Sequence, residues 1–143
     1  MLSTITISGT WKGGYRTDIK AGDHLVIVDQ PESGGGKNEG PNPLEFELIA
    51  LGSCLGTIAA IIARQERIGL NGFSFEINGD VDKAYLMGKT KEGRAGFTDI
   101  RVKINIDADM TDEEKQAFFN RVDERCPVSD NLINKTNVVF EVV

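Results

Sequence analysis

Two cysteines are the residues of this sequence best suited to chemistry, and their settings differ. Cys54 lies inside the apolar run "ELIALGSCLGTIAAIIA", whereas Cys126 directly precedes Pro127 in "RCPVSDNL". A cysteine thiolate is a nucleophile, and two cysteines that meet can cycle between dithiol and disulfide. Cys126 is predicted to be the N-cap of a short helix, where unpaired backbone N–H groups favour a thiolate. Cys54 is predicted to be buried, and burial alone would leave its thiol inert.

Other kinds of site have weaker support in the sequence. Free cysteine is among the most buried residue types, so two structural thiols are the alternative to a reactive pair. His24 is the only histidine, and together with two distant cysteines it gives no recognisable zinc-ligand spacing, so we expect no metal site. The 22 acidic and 16 basic side chains leave a net charge of −6, which argues against nucleic-acid binding.

The elements that must position the two thiols indicate a single α+β domain over residues 1–143. Strands are predicted at 2–9, between 15 and 23, and at 24–29, 73–81, 97–107 and 136–143, where β-branched or alternating apolar residues occur. Helices are predicted after Asn42, after Thr111 (with Glu114 completing a capping box) and after Cys126. The order β-β-β-α-β-β-α-α-β predicts helices gathered on one face of antiparallel sheet.

The first predicted helix is long and apolar on every face. Asn42 is its predicted N-cap, and Gly69 is predicted to end it. The uncharged run 48–63 has sixteen residues, fewer than the about 20 that a membrane span needs, so it predicts a helix buried in protein. Gly52 and Gly56 share one side of this helix and predict close approach by another helix.

The start of the chain and its cysteine content predict where the protein works. The segment "MLSTITISGTWKGG" has neither the basic region nor the continuous apolar region of a secretory leader. Two cysteines are too few for a secreted disulfide framework. We therefore expect a cytoplasmic protein that has no membrane partner.

The segments around the two cysteines, taken together, resemble the OsmC/Ohr superfamily of osmotically inducible and organic hydroperoxide resistance proteins. "GPNPLEFELIALGSC" is similar to the family's NP-initiated helix with its first cysteine, and "RCPVSDNL" is similar to its CPVS-type turn with the second. The predicted order of elements matches over nearly the whole chain. The resemblance implies an OsmC-like fold in an intertwined homodimer, with the long helices packed together and two active sites at the subunit interface.

The same resemblance implies a thiol-dependent peroxidase that works without metal, haem or flavin. Cys54 is implied to be the peroxidatic thiol, which becomes a sulfenic acid, and Cys126 the resolving thiol, which closes a disulfide. Organic hydroperoxides are the implied substrates. An external dithiol, of the lipoyl type carried by a protein, is the implied reductant.

The resemblance also implies a charged pair beside the first thiol, formed by an Arg and a Glu. Arg16 in "KGGYR" and Glu45 are the candidates. In peroxidase members the Glu directly follows the NP dipeptide, where this chain has Leu44, and one position on a helix is a rotation of about 100°. This departure indicates an alternative, a non-peroxidase OsmC-like protein for redox chemistry, sulfur handling or small-molecule binding. A structural dimer module is a third alternative.

Overall fold

The computed structural model describes all residues from Met1 to Val143 and shows an α+β chain with antiparallel sheets. Its residues form two compact units, Met1–Glu47 and Leu48–Val143, and each is described by itself. The single domain over residues 1–143 stays a prediction. In chain order the elements are β1 Ile7–Trp11, β2 Thr17–Ala21, β3 His24–Val28, a 3-10 turn Glu32–Gly34, α1 Pro43–Glu66, β4 Leu70–Val81, α2 Lys83–Leu86, β5 Phe97–Ala108, α3 Asp112–Arg125 and α4 Pro127–Ile133.

The first unit contains an antiparallel three-stranded sheet in the order β1-β2-β3. β2 turns into β3 through Gly22, whose φ of 60° lies in the left-handed region that glycine adopts without strain. The first strand begins at Ile7, which pairs with Ala21 at the end of β2. The predicted strand over 2–9 was therefore too long, because β2 offers no residues beyond Ala21 with which residues 2–6 could pair.

Helix α1 begins as predicted and ends earlier than predicted. The Asn42 side chain accepts the backbone N–H of Glu45 at 2.9 Å, and the Glu45 carboxylate accepts the backbone N–H of Asn42 at 2.9 Å. These reciprocal bonds are a capping box and satisfy two N–H groups of the helix start. The helix ends at Glu66 because Arg67 takes a left-handed φ of 58°, whereas Gly69 was predicted to end it.

The observed helix α1 is longer than the uncharged run on which the argument against a membrane span was based. α1 has 24 residues and an apolar window with mean hydropathy 2.0, so its length and composition would suffice to cross a membrane. The sixteen-residue run understated the helix because the helix continues through polar residues at both ends. A core helix of a soluble protein passes the same test. The absence of a membrane partner therefore stays a prediction.

The second unit contains a long antiparallel hairpin and the remaining helices. β4 and β5 pair from Leu70 opposite Ala108 to Val81 opposite Phe97. Their connection contains the short helix α2. Helix α3 begins with the predicted capping box, in which Thr111 accepts the backbone N–H of Glu114 at 3.2 Å and Glu114 accepts that of Thr111 at 2.8 Å.

The core of the second unit is formed by one face of α1, by β5 and by the buried face of α3. Its buried members are Leu51, Leu55, Ala59, Ile62, Ala63, Ile106, Phe118, Val122 and Cys126. The α1 members recur every three to four residues, which is the period of a single helix face. The opposite face carries Ile49 and Ile61, which are 46% and 39% exposed. This unit therefore covers one side of α1, and burial of the opposite side stays a prediction, because the family resemblance implies that a second copy covers it.

The two glycines of α1 face the hairpin instead of a helix. A Cβ atom on Gly52 would lie 2.2 Å from the ring of Phe75 in β4, so only glycine allows this close contact. A Cβ atom on Gly56 would meet the ring of Phe73 at 3.8 Å, an ordinary contact distance. The close approach predicted from their spacing exists at Gly52, but the neighbour is an aromatic side chain of a strand.

The predicted closing strand over 136–143 is absent. These residues have no strand pairing, and Val138, Val139 and Phe140 are 64%, 81% and 90% exposed. β-branched and aromatic residues favour an extended chain, but a strand also needs a neighbour that satisfies its backbone N–H and C=O groups. No strand of the same chain pairs with this segment, which explains why the composition alone misled.

Candidate active site

Helix α1 holds Cys54 at the edge of its buried face. The cysteine follows the tight contact at Gly52 by two positions and precedes the buried Leu55, and it packs against the core while remaining partly exposed. The helix face that forms the core therefore also fixes the direction of this sulfur. A reagent in solvent can still reach it.

Cys126 lies at the corner where α3 ends and α4 begins. Phe118, Val122 and Cys126 are spaced by four residues, so the apolar stripe of α3 continues into the cysteine and buries it to 1% exposure. The predicted N-cap is confirmed, since the Cys126 Sγ accepts the backbone N–H of Ser129 at 3.4 Å and Pro127 occupies the first helical position.

The structure brings Cys54 and Cys126 together in the second unit. Their Sγ atoms are 3.1 Å apart, and the Cys126 S–H group donates to the Cys54 sulfur. A disulfide has a sulfur separation of about 2.05 Å, so both residues are free thiols. Closing the bond would require the sulfurs to approach by about 1 Å. This arrangement can interconvert dithiol and disulfide without rearranging the fold.

The electrostatics of Cys126 differ from the expectation of a capped thiolate. Burial raises the pKa of the Cys126 thiol, and the backbone N–H groups of Ser129 and Val128 offset this only in part. The neighbouring Cys54 raises the pKa of Cys126 further. The prediction that the N-cap position favours a thiolate at Cys126 was wrong, because the backbone N–H groups at the cap do not replace the lost hydration of a buried sulfur.

Arg16, the predicted partner of the first thiol, belongs to the first unit and lies between two carboxylates there. It donates to Asp18 at 2.7 Å and forms an ion pair with Glu39. These bonds raise the pKa of Arg16 above its usual range, and the guanidinium lowers the pKa of Asp18. The Arg16 guanidinium is thus ion-paired with two carboxylates.

Glu45 has a local role that the sequence interpretation did not give it. Its carboxylate accepts the Asn42 backbone N–H in the capping box of α1, which is a structural use of the side chain. Leu44, at the position of the family's Glu, is half-buried. Glu45 is not among the ion-pair partners of Arg16 in the first unit.

Glu39 is the residue that sequence reasoning missed. It lies in the loop "GGGKNEG" between β3 and α1. The buried Asp29 at the end of β3 shapes this loop, because its carboxylate accepts the backbone N–H groups of Gln30, Lys37 and Glu39. The same bonds, led by that of Gln30, lower the pKa of Asp29. An acidic residue directly after an apolar strand was the only signal for this arrangement.

The residues present do not group into a metal site. No three His, Cys, Asp or Glu side chains lie close enough together to hold an ion. His24 is exposed at the start of β3. The two sulfurs of Cys54 and Cys126 provide half of a tetrahedral zinc set.

Comparison with known proteins identifies one family for this chain. A family model described as OsmC-like protein matches residues 35–142. No curated protein matches this chain significantly.

Solved structures share the fold at low sequence identity. An OsmC-like protein from Mycoplasma pneumoniae is 19% identical, with 94% of this chain and 91% of the other covered and a TM-score of 0.81. An organic hydroperoxide resistance protein from Elizabethkingia anophelis is 20% identical, with 94% and 91% covered and a TM-score of 0.70. A protein from Legionella pneumophila, named organic hydroperoxide resistance protein OsmC, is 18% identical, with 92% and 90% covered and a TM-score of 0.68.

Proposed function

The chain belongs to the OsmC-like protein family, and we propose that it reduces organic hydroperoxides with Cys54 and Cys126 as its redox pair. The observation that carries the proposal is the 3.1 Å contact between the two sulfurs, of which Cys54 is the more exposed. The names of the proteins from Elizabethkingia anophelis and Legionella pneumophila support the substrate class.

The proposed reaction starts at Cys54 because its sulfur is the one that solvent reaches. The Cys54 thiolate attacks a peroxide oxygen, the O–O bond breaks, the alcohol leaves with a proton, and Cys54 becomes a sulfenic acid. The sulfur of Cys126 then attacks the sulfenic sulfur, which forms the disulfide and releases water. An external dithiol, which we propose is of the lipoyl type carried by a protein, reduces the disulfide and is itself oxidised to a disulfide.

The raised pKa of Cys126 fits this division of roles. The thiolate is the reactive form, and burial favours the protonated form of Cys126, which leaves the first step to Cys54. Arg16 and Glu45 remain in the proposal as separate charged candidates for assisting Cys54, since they do not pair with each other. The ion pair of Arg16 with Glu39 makes Glu39 a further carboxylate to test beside them.

We further propose that the protein works as a homodimer. Apolar residues at both ends of the chain are exposed, among them Leu2 and Phe140, as is the second face of α1 at Ile49. Large exposed apolar surfaces on soluble chains mark interaction sites, and unpaired β-forming segments are suited to strand pairing with a second copy. Sedimentation of the full chain should give a dimer mass, and a chain ending at Lys135 should give a monomer. A monomeric full chain at micromolar concentration would contradict the proposal.

One observation favours the alternative of a non-peroxidase OsmC-like protein. The carboxylate closest to the family position, that of Glu45, is engaged by Asn42, and Leu44 occupies the family position itself. Such a protein would use the dithiol pair for disulfide exchange or sulfur handling, or would bind a small molecule.

Steady-state peroxide consumption separates the two functions. With cumene hydroperoxide and dihydrolipoamide, the wild-type protein should turn over repeatedly, and Cys54→Ser should consume no peroxide. Without the dithiol, Cys126→Ser should consume one equivalent of peroxide as Cys54 becomes a sulfenic acid, and a second equivalent when that acid is oxidised to the sulfinic acid. Hydrogen peroxide, which lacks an apolar substituent, should react more slowly. If the wild-type thiols survive excess hydroperoxide for hours, the peroxidase proposal is wrong and the non-peroxidase alternative is favoured.

A further inference from the structure

The corner between α3 and α4 contains a side-chain hydrogen bond that no step of the proposed reaction uses. The Ser129 hydroxyl donates to the Asp123 carboxylate at 2.5 Å. Asp123 lies in the last turn of α3 and Ser129 in the first turn of α4, so the bond spans the corner from one helix to the other. Ser129 is only 7% exposed. A hydroxyl donor to a carboxylate is among the stronger hydrogen bonds, and burial limits competition from water.

The same two residues contact Cys126 through the backbone. The backbone N–H of Cys126 donates to the carbonyl oxygen of Asp123 at 3.1 Å. The backbone N–H of Ser129 donates to the Cys126 Sγ at 3.4 Å. Asp123 and Ser129 therefore hold Cys126 from three residues before it and three residues after it. Because their side chains are also bonded to each other, the sulfur cannot turn away from Cys54 without loosening this closed set of contacts.

We propose that Asp123 and Ser129 are positioning residues that hold the Cys126 sulfur against Cys54 and thereby set how readily the disulfide closes. The role gains its biological meaning from the proposed function, but the step itself needs only a small disulfide as oxidant. With glutathione disulfide, the Cys54–Cys126 bond forms, the S–S bond of glutathione breaks, and the two thiol protons end on two glutathione molecules. Fixing one thiol next to the other raises its effective concentration, which favours closure.

The proposal is tested by the equilibrium constant for oxidation of the protein dithiol to the Cys54–Cys126 disulfide by glutathione disulfide. Ser129→Ala and Asp123→Ala should each lower this constant about tenfold, the size expected for a hydrogen bond to a charged group. Asp123→Asn keeps an acceptor oxygen for the Ser129 hydroxyl and should restore most of the loss. Asp130→Ala is the matched control, because Asp130 is exposed in α4 and its carboxylate accepts only the side-chain amide of Asn134, which lies away from Cys126 at the end of that helix.

The outcomes separate this proposal from a general loss of structure and from the proposed function. Thermal unfolding of each variant checks the fold, and the two alanine variants probe one bond from both ends, so either suffices. The double variant should lose no more than each single one. Constants within twofold of wild type in both alanine variants, or the same loss in Asp130→Ala, would overturn the proposal. A wild type that closes the disulfide with glutathione but ignores hydroperoxide would overturn the proposed function and leave this inference intact.

Discussion

The cysteine corner in the second unit and the charged candidates in the first unit are built in different ways. Cys54 and Cys126 meet at 3.1 Å because an apolar helix face and the apolar stripe of α3 share one core. Arg16 and Glu45 are instead held by polar bonds at the surface, Arg16 by Asp18 and Glu39 and Glu45 by Asn42. The thiol pair is therefore complete within one chain, whereas the charged pair implied by the family resemblance is not formed by Arg16 and Glu45.

The two groups of residues are positioned by different forces, core burial for the sulfurs and exposed polar bonds for the charged residues. Burial of apolar surface positions the sulfurs, so they depend on the whole core of the second unit. The polar bonds of Arg16 and Glu45 are exposed or partly exposed, and exposed ion pairs contribute little to stability. The core should therefore tolerate substitution poorly, and the charged residues should affect reactivity without affecting folding.

The largest expected effect is on the core that carries Cys126. Phe118 is fully buried, so Phe118→Ala should lower the free energy of unfolding by about 3–5 kcal/mol. Phe140→Ala is the matched control, because this ring is 90% exposed in the single chain. Urea denaturation at low and high protein concentration measures both. Phe140→Ala should cost little when the protein is dilute and more when dimers form; a small cost at every concentration would show that no second copy covers this segment.

A smaller effect distinguishes the two glycines beside Cys54. Gly56→Ala should stabilise by up to about 1 kcal/mol, because alanine favours the helix and meets nothing closer than 3.8 Å. Gly52→Ala places a methyl group 2.2 Å from the Phe75 ring, so it should be about 1–3 kcal/mol less stable than Gly56→Ala. Thermal unfolding of the two variants gives the difference. Equal stabilities would mean that the hairpin moves freely away from α1.

Comparison of two arginines tests whether the first unit affects the thiol. If Arg16 assists Cys54, Arg16→Ala should slow alkylation of Cys54 by iodoacetamide at neutral pH by about tenfold. Arg101→Ala is the control, since Arg101 is also ion-paired, to Asp80 on the hairpin, and has no proposed role. The reaction is followed in a Cys126→Ser background so that one thiol reports. Equal rates for both variants would remove Arg16 from the proposed site.

The smallest effect concerns pH. Burial raises the pKa of Cys126, so the folded protein keeps a proton that the unfolded chain loses above about pH 8.5. Stability from the neutral thiol is therefore complete below that pH and declines as pH rises toward the folded pKa, by at most about 1.4 kcal/mol per pH unit. Urea denaturation of reduced protein should show this decline, and Cys126→Ser should reduce it. Identical pH profiles for the two proteins would contradict the assigned burial effect.

Local sequence patterns predicted the parts of the fold that depend on local chemistry. The caps at Asn42, Thr111 and Cys126 were predictable because a capping side chain bonds within three residues of itself. The pairing of Cys54 with Cys126 followed from the family resemblance and could not follow from spacing. Family membership and the antiparallel α+β fold are confirmed.

The failures share a physical cause, which is that they depend on neighbours distant in sequence. The strand predicted over 136–143 has suitable residues but no partner strand in the single chain. The thiolate predicted at Cys126 ignored how completely the core buries that sulfur. The pairing of Arg16 with Glu39 depends on a loop shaped by the buried Asp29, which no periodic pattern reveals.

The most direct test of the central claim is peptide mapping by mass spectrometry after reduced protein reacts with one equivalent of cumene hydroperoxide. Each chain should lose both thiol hydrogens, and one linked peptide pair should appear, joining Cys54 to Cys126 within the same chain. The 3.1 Å contact makes this disulfide the nearest stable product of Cys54 oxidation. Recovery of both cysteines as free thiols, or a disulfide formed only between chains, would contradict the account.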